Sequence, residues 1–326
     1  MRRFVVALLI IAGCSKSEDA KPAPAPARTT GSAAVLADPW NAPAKPDPNG
    51  LPTLVERVKL ADAACPAVTA PFFFAVTKDG KTSHILGTRH ISVGIAKFPS
   101  VVGDTLDHAS RAIFEISPED TTGGKHAPEP LQRELGPKDW AHFEALVGAE
   151  LAKNFETGEP DAAALTMLVM YEDVSNTLES QLQDRARAHS IPMAGLETSA
   201  FQDGVLAKLL DLRMLKATIE QTQDRAEIAK DSHDDLAQYC AGTDDSPGMD
   251  AETRGKMLKA GYTVAELDAM DDVLVYQRNA DWIPKLDKLF AHDKVFVAVG
   301  ADHLIGPRGV VELLKHQGFT VARITR

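Results

Sequence analysis

Aromatic side chains are scarce: Phe, Trp and Tyr make up 6% of the 326 residues, with three tryptophans and four tyrosines. So few flat rings argue against a base-stacking or carbohydrate-platform function. Positive charge is also short, since 35 Lys and Arg stand against 46 Asp and Glu, a formal net charge of −11. Phosphate binding needs clustered Lys and Arg, so no nucleic-acid partner is expected. No apolar run reaches the roughly 18 residues that cross a bilayer as a helix. The chain contains no P-loop, no dinucleotide fingerprint and no Gly-x-Ser-x-Gly nucleophile elbow. What remains, 44% hydrophobic and 25% charged, is the composition of a globular enzyme rather than a collagen-like, coiled-coil or wholly disordered chain.

Cysteine is rare as well, and its three positions, Cys14, Cys65 and Cys240, are informative. The opening MRRFVVALLIIAGC has a basic start (Arg2, Arg3) and an apolar run from Phe4 to Ala12. That run is too short to span a bilayer and reads as a secretory signal. Ile11-Ala12-Gly13 before Cys14 resembles a lipobox, so residues 1–14 are expected to be a lipoprotein signal peptide ending at a lipidated Cys14. Ser15 after the cysteine favours the outer membrane of a Gram-negative cell, facing the periplasm, with the bilayer as partner through the acyl anchor. Residues 15–50, rich in Pro, Ala and Lys, lack a periodic apolar face and are expected to be a disordered tether with a reach of roughly 30–35 Å. In an oxidising compartment Cys65 and Cys240 are candidates for one disulfide; the alternative is two isolated buried thiols.

A single domain is expected over residues 51–326. Phe72–Val76 and His84–Leu86 read as a hairpin turned at Asp79-Gly80, and a helical stretch follows to about Ser110. Ala112–Ile116 and Ile191–Leu196 are short strands set among amphipathic helices, and Lys294–Gly300, Val310–Gln317 and Phe319–Ile324 read as strand, helix and strand. HILGTRH leading to AIFEI, and FVAVGADH leading to TVARI, are both strand, Gly-x-x-His, helix, strand. The expected fold is therefore α/β: a mixed sheet built from two such units, with a large helical insert from about 120 to 290.

In such sheets ligands bind at the carboxyl ends of strands. His90, Glu197 and His303 fall just after predicted strands, and Glu115 lies near the end of its own. Gly87 and Gly300, three residues before each histidine, suit a turn needing unusual φ/ψ and close backbone approach. Two imidazoles with one or two carboxylates are a candidate site for a divalent metal, Zn, Mn or Co, whose bound water would approach a neutral pKa while a spare glutamate acts as base. The alternative for each histidine is a hydrogen-bonded turn residue.

ILGTRHIS (85–92), IFEIS (113–117), GLETSAFQ (195–202), YQRNADWIPKL (276–286) and FVAVGADHLIGPRGVVELLKHQGFTV (296–321) together resemble the TraB/GumN (PrgY, Tiki) family. The resemblance implies an erythromycin-esterase/ChaN-like fold with the paired motifs at a shared centre, and the Tiki branch is described as metal-dependent proteases. It implies His90 and His303 as metal ligands, with Glu115 and Glu197 as ligand or general base. Arg278 and Asn279 match the family's Arg-Asn pair, there to hold a substrate carbonyl or oxyanion, or else to anchor their helix to strand ends. Arg89 and Asp302 depart from the usual motifs and are expected either to disturb a bound cation or to pair with each other. The implied activity is a metal-dependent, peptidase-like hydrolase acting on a peptide or small molecule. A non-catalytic ligand, metal or peptide-signal binder and a metal-free hydrolase are the alternatives.

Overall fold

A computed structural model describes residues 49–122, 130–175, 177–243, 248–292 and 294–325. The signal peptide, Cys14 and all but the last two residues of the tether lie outside the described residues. Helix α1 (Leu54–Ala64) starts at a capping box in which Thr53 and Glu56 satisfy each other's backbone N–H. The hairpin of β1 (Phe73–Lys78) and β2 (Lys81–Thr88) turns at Asp79 and Gly80, both with positive φ. Between His90 and Ser110 only α2 (Ser100–Asp107) is an α-helix, starting directly after Pro99, whose ring fixes φ and whose ψ of 142° keeps it outside the helix. β3 (Arg111–Ile116) comes next.

The helices between β3 and β5 fall into two runs. α3 (Leu131–Val147), α4 (Ala149–Lys153), α5 (Pro160–Val169) and α6 (Leu178–Ala188) precede β4 (Met193–Glu197). α7 (Ser199–Leu209), α8 (Leu212–Gln221), α9 (Arg225–Ala241), α10 (Ala251–Lys259), α11 (Val264–Asp271) and α12 (Gln277–Phe290) follow it. β5 (Val295–Gly300), α13 (Val310–His316) and β6 (Thr320–Arg323) come after them. Side-chain oxygens of Thr177, Thr198, Asp211, Asp224, Asp250 and Thr263 cap α6 to α11 in turn.

The strands form one mixed sheet in the order β4-β3-β5-β2-β1-β6. β1 is antiparallel to both its neighbours, whereas β2, β3, β4 and β5 pair in parallel. β5 is apolar and buried at every position, as a central parallel strand requires. From the adjacent strands β2 and β5 the chain leaves in opposite directions, β2 over β5 to β3 and β5 over β2 and β1 to β6. The two Gly-x-x-His units thus diverge from a common centre, and the strand order reverses where their histidines emerge. Such a switch point opens a crevice at the carboxyl ends of the strands.

Two apolar cores result. One lies against the sheet and takes in α2, α6, α12 and α13, with Phe72, Phe73, Phe114 and Phe296 fully buried; each such side chain contributes on the order of 1.5–3 kcal/mol. The other, built from α3, α5, α7, α8 and α11, is purely helical. A disulfide joins Cys65, at the end of α1, to Cys240 on α9 with their Cα atoms 5.8 Å apart. Among the described residues no helix is long and apolar enough to cross a membrane.

Candidate active site

Register places the site. Thr88 at the end of β2 pairs with Gly300 at the end of β5, so the segments carrying His90 and His303 leave the sheet side by side. Glu115 on β3 lies one residue beyond the Phe114–Ala298 pair, and Glu197 pairs with Ile116 at the end of β4. His90, Glu115, Arg278, Asn279 and His303 are all buried.

The two motif glycines are there for space. Gly300 has φ −51° and ψ 139°, and neither it nor Gly87 has a positive φ, contrary to the expectation of an unusual backbone. A Cβ on Gly300 would stand 3.3 Å from Glu115 Oε1, 3.6 Å from His303 Cδ2 and 3.6 Å from His90 Nε2. The three side chains thus share the hollow that the missing Cβ leaves. On Gly87 a Cβ would come within 2.8 Å of Phe72 Cβ and 3.0 Å of the Ala301 backbone, so this glycine lets β2 approach the second motif.

Each imidazole is held by its Nδ1. Glu179, in the first turn of α6, places Oε1 2.6 Å from Nδ1 of His90, and Leu178 N–H donates to the His90 carbonyl. Asn279 Oδ1 lies 2.6 Å from Nδ1 of His303, while Asn279 Nδ2 donates to the Arg308 carbonyl at 3.0 Å. That second bond fixes the amide, so Oδ1 accepts, His303 carries its proton on Nδ1, and Nε2 keeps a free lone pair. The Nε2 atoms of both histidines are buried with no hydrogen-bond partner among the described residues. His303 Nε2 faces Glu115 Oε1 at 3.9 Å.

The carboxylates share one guanidinium. Arg278 Nη2 donates to Glu115 Oε2 at 2.7 Å and to Glu197 Oε1 at 2.5 Å, Nε to Glu197 Oε2 at 3.1 Å, and Nη1 to the Leu274 carbonyl at 2.9 Å. Gln202 Nε2 spans both carboxylates, at 3.0 Å from Glu115 and 3.4 Å from Glu197, and Trp282 Nε1 adds a 3.3 Å bond to Glu197. Glu115 Oε1 accepts the Gly300 N–H at 2.7 Å. The donors of Arg278 and the amide of Asn279 are therefore engaged within the protein, and Glu197 comes from β4, which β3 separates from the strands that lead to the imidazoles.

The charges follow from these contacts. Burial pushes the Glu115 pKa up, but the Arg278 charge, those of the two imidazoles when protonated and the Gly300 N–H outweigh it and bring the group down to about 2. Burial raises Glu197, with repulsion from Glu115 adding to it and Arg278 opposing. Burial and the nearby Arg278 charge hold His303 down to about 3, so its ring is neutral. Burial also disfavours the His90 imidazolium, yet the charge and hydrogen bond of Glu179 and the charge of Glu115 overcome it and raise its pKa.

Arg89 does not meet Asp302. Its Nη2 lies 2.6 Å from Glu172 Oε1 in a buried pair that also takes the hydroxyls of Ser92 and Ser232. Glu172, just beyond α5, is thus the carboxylate that pairs with this cation, rather than Asp302 of the second motif turn. Arg89 therefore helps to anchor the first motif loop, where Ser92 sits at φ 66°.

A family model described as the TraB/PrgY/gumN family matches residues 72–323. The chain belongs to the TraB/PrgY/gumN family. No curated protein and no solved structure matches it. In this family member the matched span runs from Phe72, just ahead of β1, to the last residue of β6, so it takes in the whole sheet and every site residue. α1 and Cys65 precede that span and are fastened to it by the disulfide.

The metal expected for the family fits this donor set in its chemistry. Two partnerless buried Nε2 atoms face a carboxylate oxygen, and each Nδ1 is held by an acceptor, the usual support of a ligating histidine. Among the described residues no group of three or more His, Cys, Asp or Glu side chains is already arranged to hold an ion. The 3.9 Å between His303 Nε2 and Glu115 Oε1 is wider than the roughly 3–3.5 Å that separates two ligands bonded to one ion at ~2.0–2.2 Å, so the side chains would have to draw together.

Glu179, Gln202 and Trp282 escaped sequence reasoning. Gln202 and Trp282 lie inside segments already singled out (GLETSAFQ and YQRNADWIPKL), five residues beyond Glu197 and three beyond Asn279. Glu179 carried no local signal, because its partner is 89 residues away.

Proposed function

We propose that this protein is a cell-envelope lipoprotein whose sheet crevice holds a divalent metal, Zn, Mn or Co, and hydrolyses a peptide or small-molecule bond. One observation carries the reading: the unpartnered Nε2 atoms of His90 and His303 face Glu115 across the hollow at Gly300. His303 Nε2 is an orphaned buried acceptor, which costs about 1–3 kcal/mol, and His90 Nε2 becomes a second once its ring gives up a proton, so the pair beside a carboxylate suits a cation. The local charge agrees. Glu115, Glu179 and Glu197 are set against Arg278 and the His90 ring, since Arg89 is taken by Glu172, and when His90 gives up its proton to a bound ion the carboxylates outnumber the remaining cation by two.

His90, His303 and Glu115 would hold the ion; Glu179 and Asn279 orient the two rings, and Arg278 keeps Glu115 ionised. Glu197, bonded to Arg278, Trp282 and Gln202, anchors the guanidinium. A bound ion would supply a Lewis acid and a water of lowered pKa. Export is supported by the basic and apolar leader, the Ile-Ala-Gly-Cys sequence ending at Cys14, and the Cys65–Cys240 bond, which suits an oxidising compartment. The anchor would hold the domain at the outer membrane, facing the periplasm.

The test is metal analysis of the purified chain, with peptide hydrolysis followed before and after chelation and on restoring Zn, Mn or Co. Activity that disappears with the chelator and in both His90→Ala and His303→Ala is expected. Hydrolysis indifferent to chelator and to both substitutions would end this reading, and stoichiometric metal or peptide binding without turnover would make the protein a binder.

A further inference from the structure

α11 and α12 form one continuous helix, but between them Asp272–Tyr276 adopt a wider π-helical turn, in which Gln277 N–H reaches back to the Asp272 carbonyl. Such a turn inserts one residue into a helix, and it does so immediately before Arg278 and Asn279. The buried residues show its consequence. Leu267 and Asp271 face inwards before the turn, and Arg278, Asn279, Trp282, Ile283, Leu286 and Phe290 after it. At 3.6 residues per turn, an unbroken α-helix would carry Leu286 and Phe290 roughly 100–140° round from Leu267. One extra residue takes about 100° of that back and returns them to a single stripe. The stripe then runs from the helical core, which holds Leu267, Leu274 and Val275, to the sheet core, which holds Trp282, Leu286 and Phe290.

The turn also contributes an acceptor. Leu274 lies inside it, and its carbonyl receives Nη1 of Arg278, the one edge of the guanidinium not used by Glu115 and Glu197. Asp272, the first residue of the turn, pairs with Arg308, and Tyr276, the last, stacks on the same guanidinium at 4.2 Å. The Arg308 carbonyl in turn fixes the amide of Asn279.

We propose that the wide turn Asp272–Tyr276 is the positioning element of the site. It sets the helical phase at which Arg278 and Trp282 meet the glutamates and Asn279 meets His303, and it carries the Leu274 carbonyl that completes the guanidinium's contacts. Its residues touch no reacting atom. The inference concerns the same site as the proposed function, but it holds with or without a bound ion.

The test uses the full chain with W40F and W140F, so that Trp282, which is 1% exposed, is the only tryptophan. One variant deletes Val273; a second carries that deletion together with an alanine inserted between Tyr276 and Gln277, which restores the phase of everything after it. The deletion is expected to raise acrylamide quenching of Trp282 several-fold, or to unfold the chain, and to cost roughly 10–100-fold in Zn affinity. The added alanine is expected to restore shielding, folding and affinity. A deletion that leaves Trp282 shielded and Zn affinity unchanged overturns the inference, as does an alanine that restores nothing. Failure of the parent chain to bind Zn, Mn or Co counts against the proposed function and leaves the Trp282 measurement standing.

Discussion

Asn279 and His303 orient each other: the amide oxygen lies 2.6 Å from Nδ1 of the imidazole, and the amide nitrogen is committed to the Arg308 carbonyl. Asn279 comes from α12 and His303 from the turn after β5, so the free lone pair of His303 depends on the helix and the sheet meeting in one register. Trp282, one helical turn on from Arg278 and Asn279, packs on the same ring at 4.4 Å between centroids.

Asn279→Leu would leave the Nδ1–H of His303 buried without an acceptor. Stability is expected to fall by about 1–3 kcal/mol and Zn affinity by roughly 10–100-fold. Asn279→Asp keeps an acceptor for Nδ1 and should retain the tighter binding of the two. Thermal melts and calorimetric titration read both effects. Equal losses in the two variants would mean that the amide does not orient the ring.

The motif glycines should separate stability from ligand binding. Gly300→Ala keeps an ordinary backbone, φ −51°, but puts a methyl group among Glu115, His303 and His90. Its melting temperature is expected to stay close to wild type while Zn binding is lost. Gly87→Ala drives a methyl group to within 2.8 Å of Phe72 and 3.0 Å of the Ala301 backbone, an overpacking that costs about 1–3 kcal/mol. The same profile in both variants would show that the hollow at Gly300 is not a ligand space.

Much of this was legible in the chain because the signals were local. Alternation and apolar runs marked β1, β3 and β5, and turn chemistry marked Asp79-Gly80. Strand ends marked His90, Glu115, Glu197 and His303, which then had only to be brought to one edge. Strand order was not legible: that β5 inserts between β2 and β3 depends on contacts across about 200 residues of sequence. The helical region also hid a division, since β4 splits it and its helices share out between two cores. Glu172 and Glu179, the buried partners of Arg89 and His90, look in sequence like the other acidic residues on helix surfaces. Only their distant partners distinguish them.

Arg278 is buried between two carboxylates, so removing it should cost more than removing all three charges. Arg278→Met leaves Glu115 and Glu197 uncompensated and is expected to destabilise the chain by about 3–5 kcal/mol. Arg278→Met combined with Glu115→Gln and Glu197→Gln should recover most of that loss. The urea midpoint measures it, and a triple variant no more stable than the single one would show that the charges are not what the arginine balances.

Proton release should report the state of the two histidines on metal binding. The His90 pKa is raised above its ordinary value of 6.5, so at pH 6.0 more than about three quarters of a proton sits on this ring in the metal-free protein. His303, held down to about 3, is a neutral ring with its one proton on Nδ1, and Glu115, down to about 2, is ionised, so neither has a proton to release at that pH. Zn binding at pH 6.0, below the pKa of about 7 of a Zn-bound water, should therefore expel close to one proton, from His90. Metal-free stability carries the matching signs. The contribution of His90 is complete below 6.5 and is lost as pH rises through its raised value, whereas that of Glu115 is complete above 4.5 and is lost as pH falls towards 2. His303 works against the fold in acid, because below 6.5 only the unfolded chain protonates it. Calorimetric titration in buffers of different ionisation enthalpy counts the protons. A count near zero would mean that His90 is neutral despite Glu179, and a count near two that His303 is charged despite Arg278; either would undo the assignment of one proton to one ring.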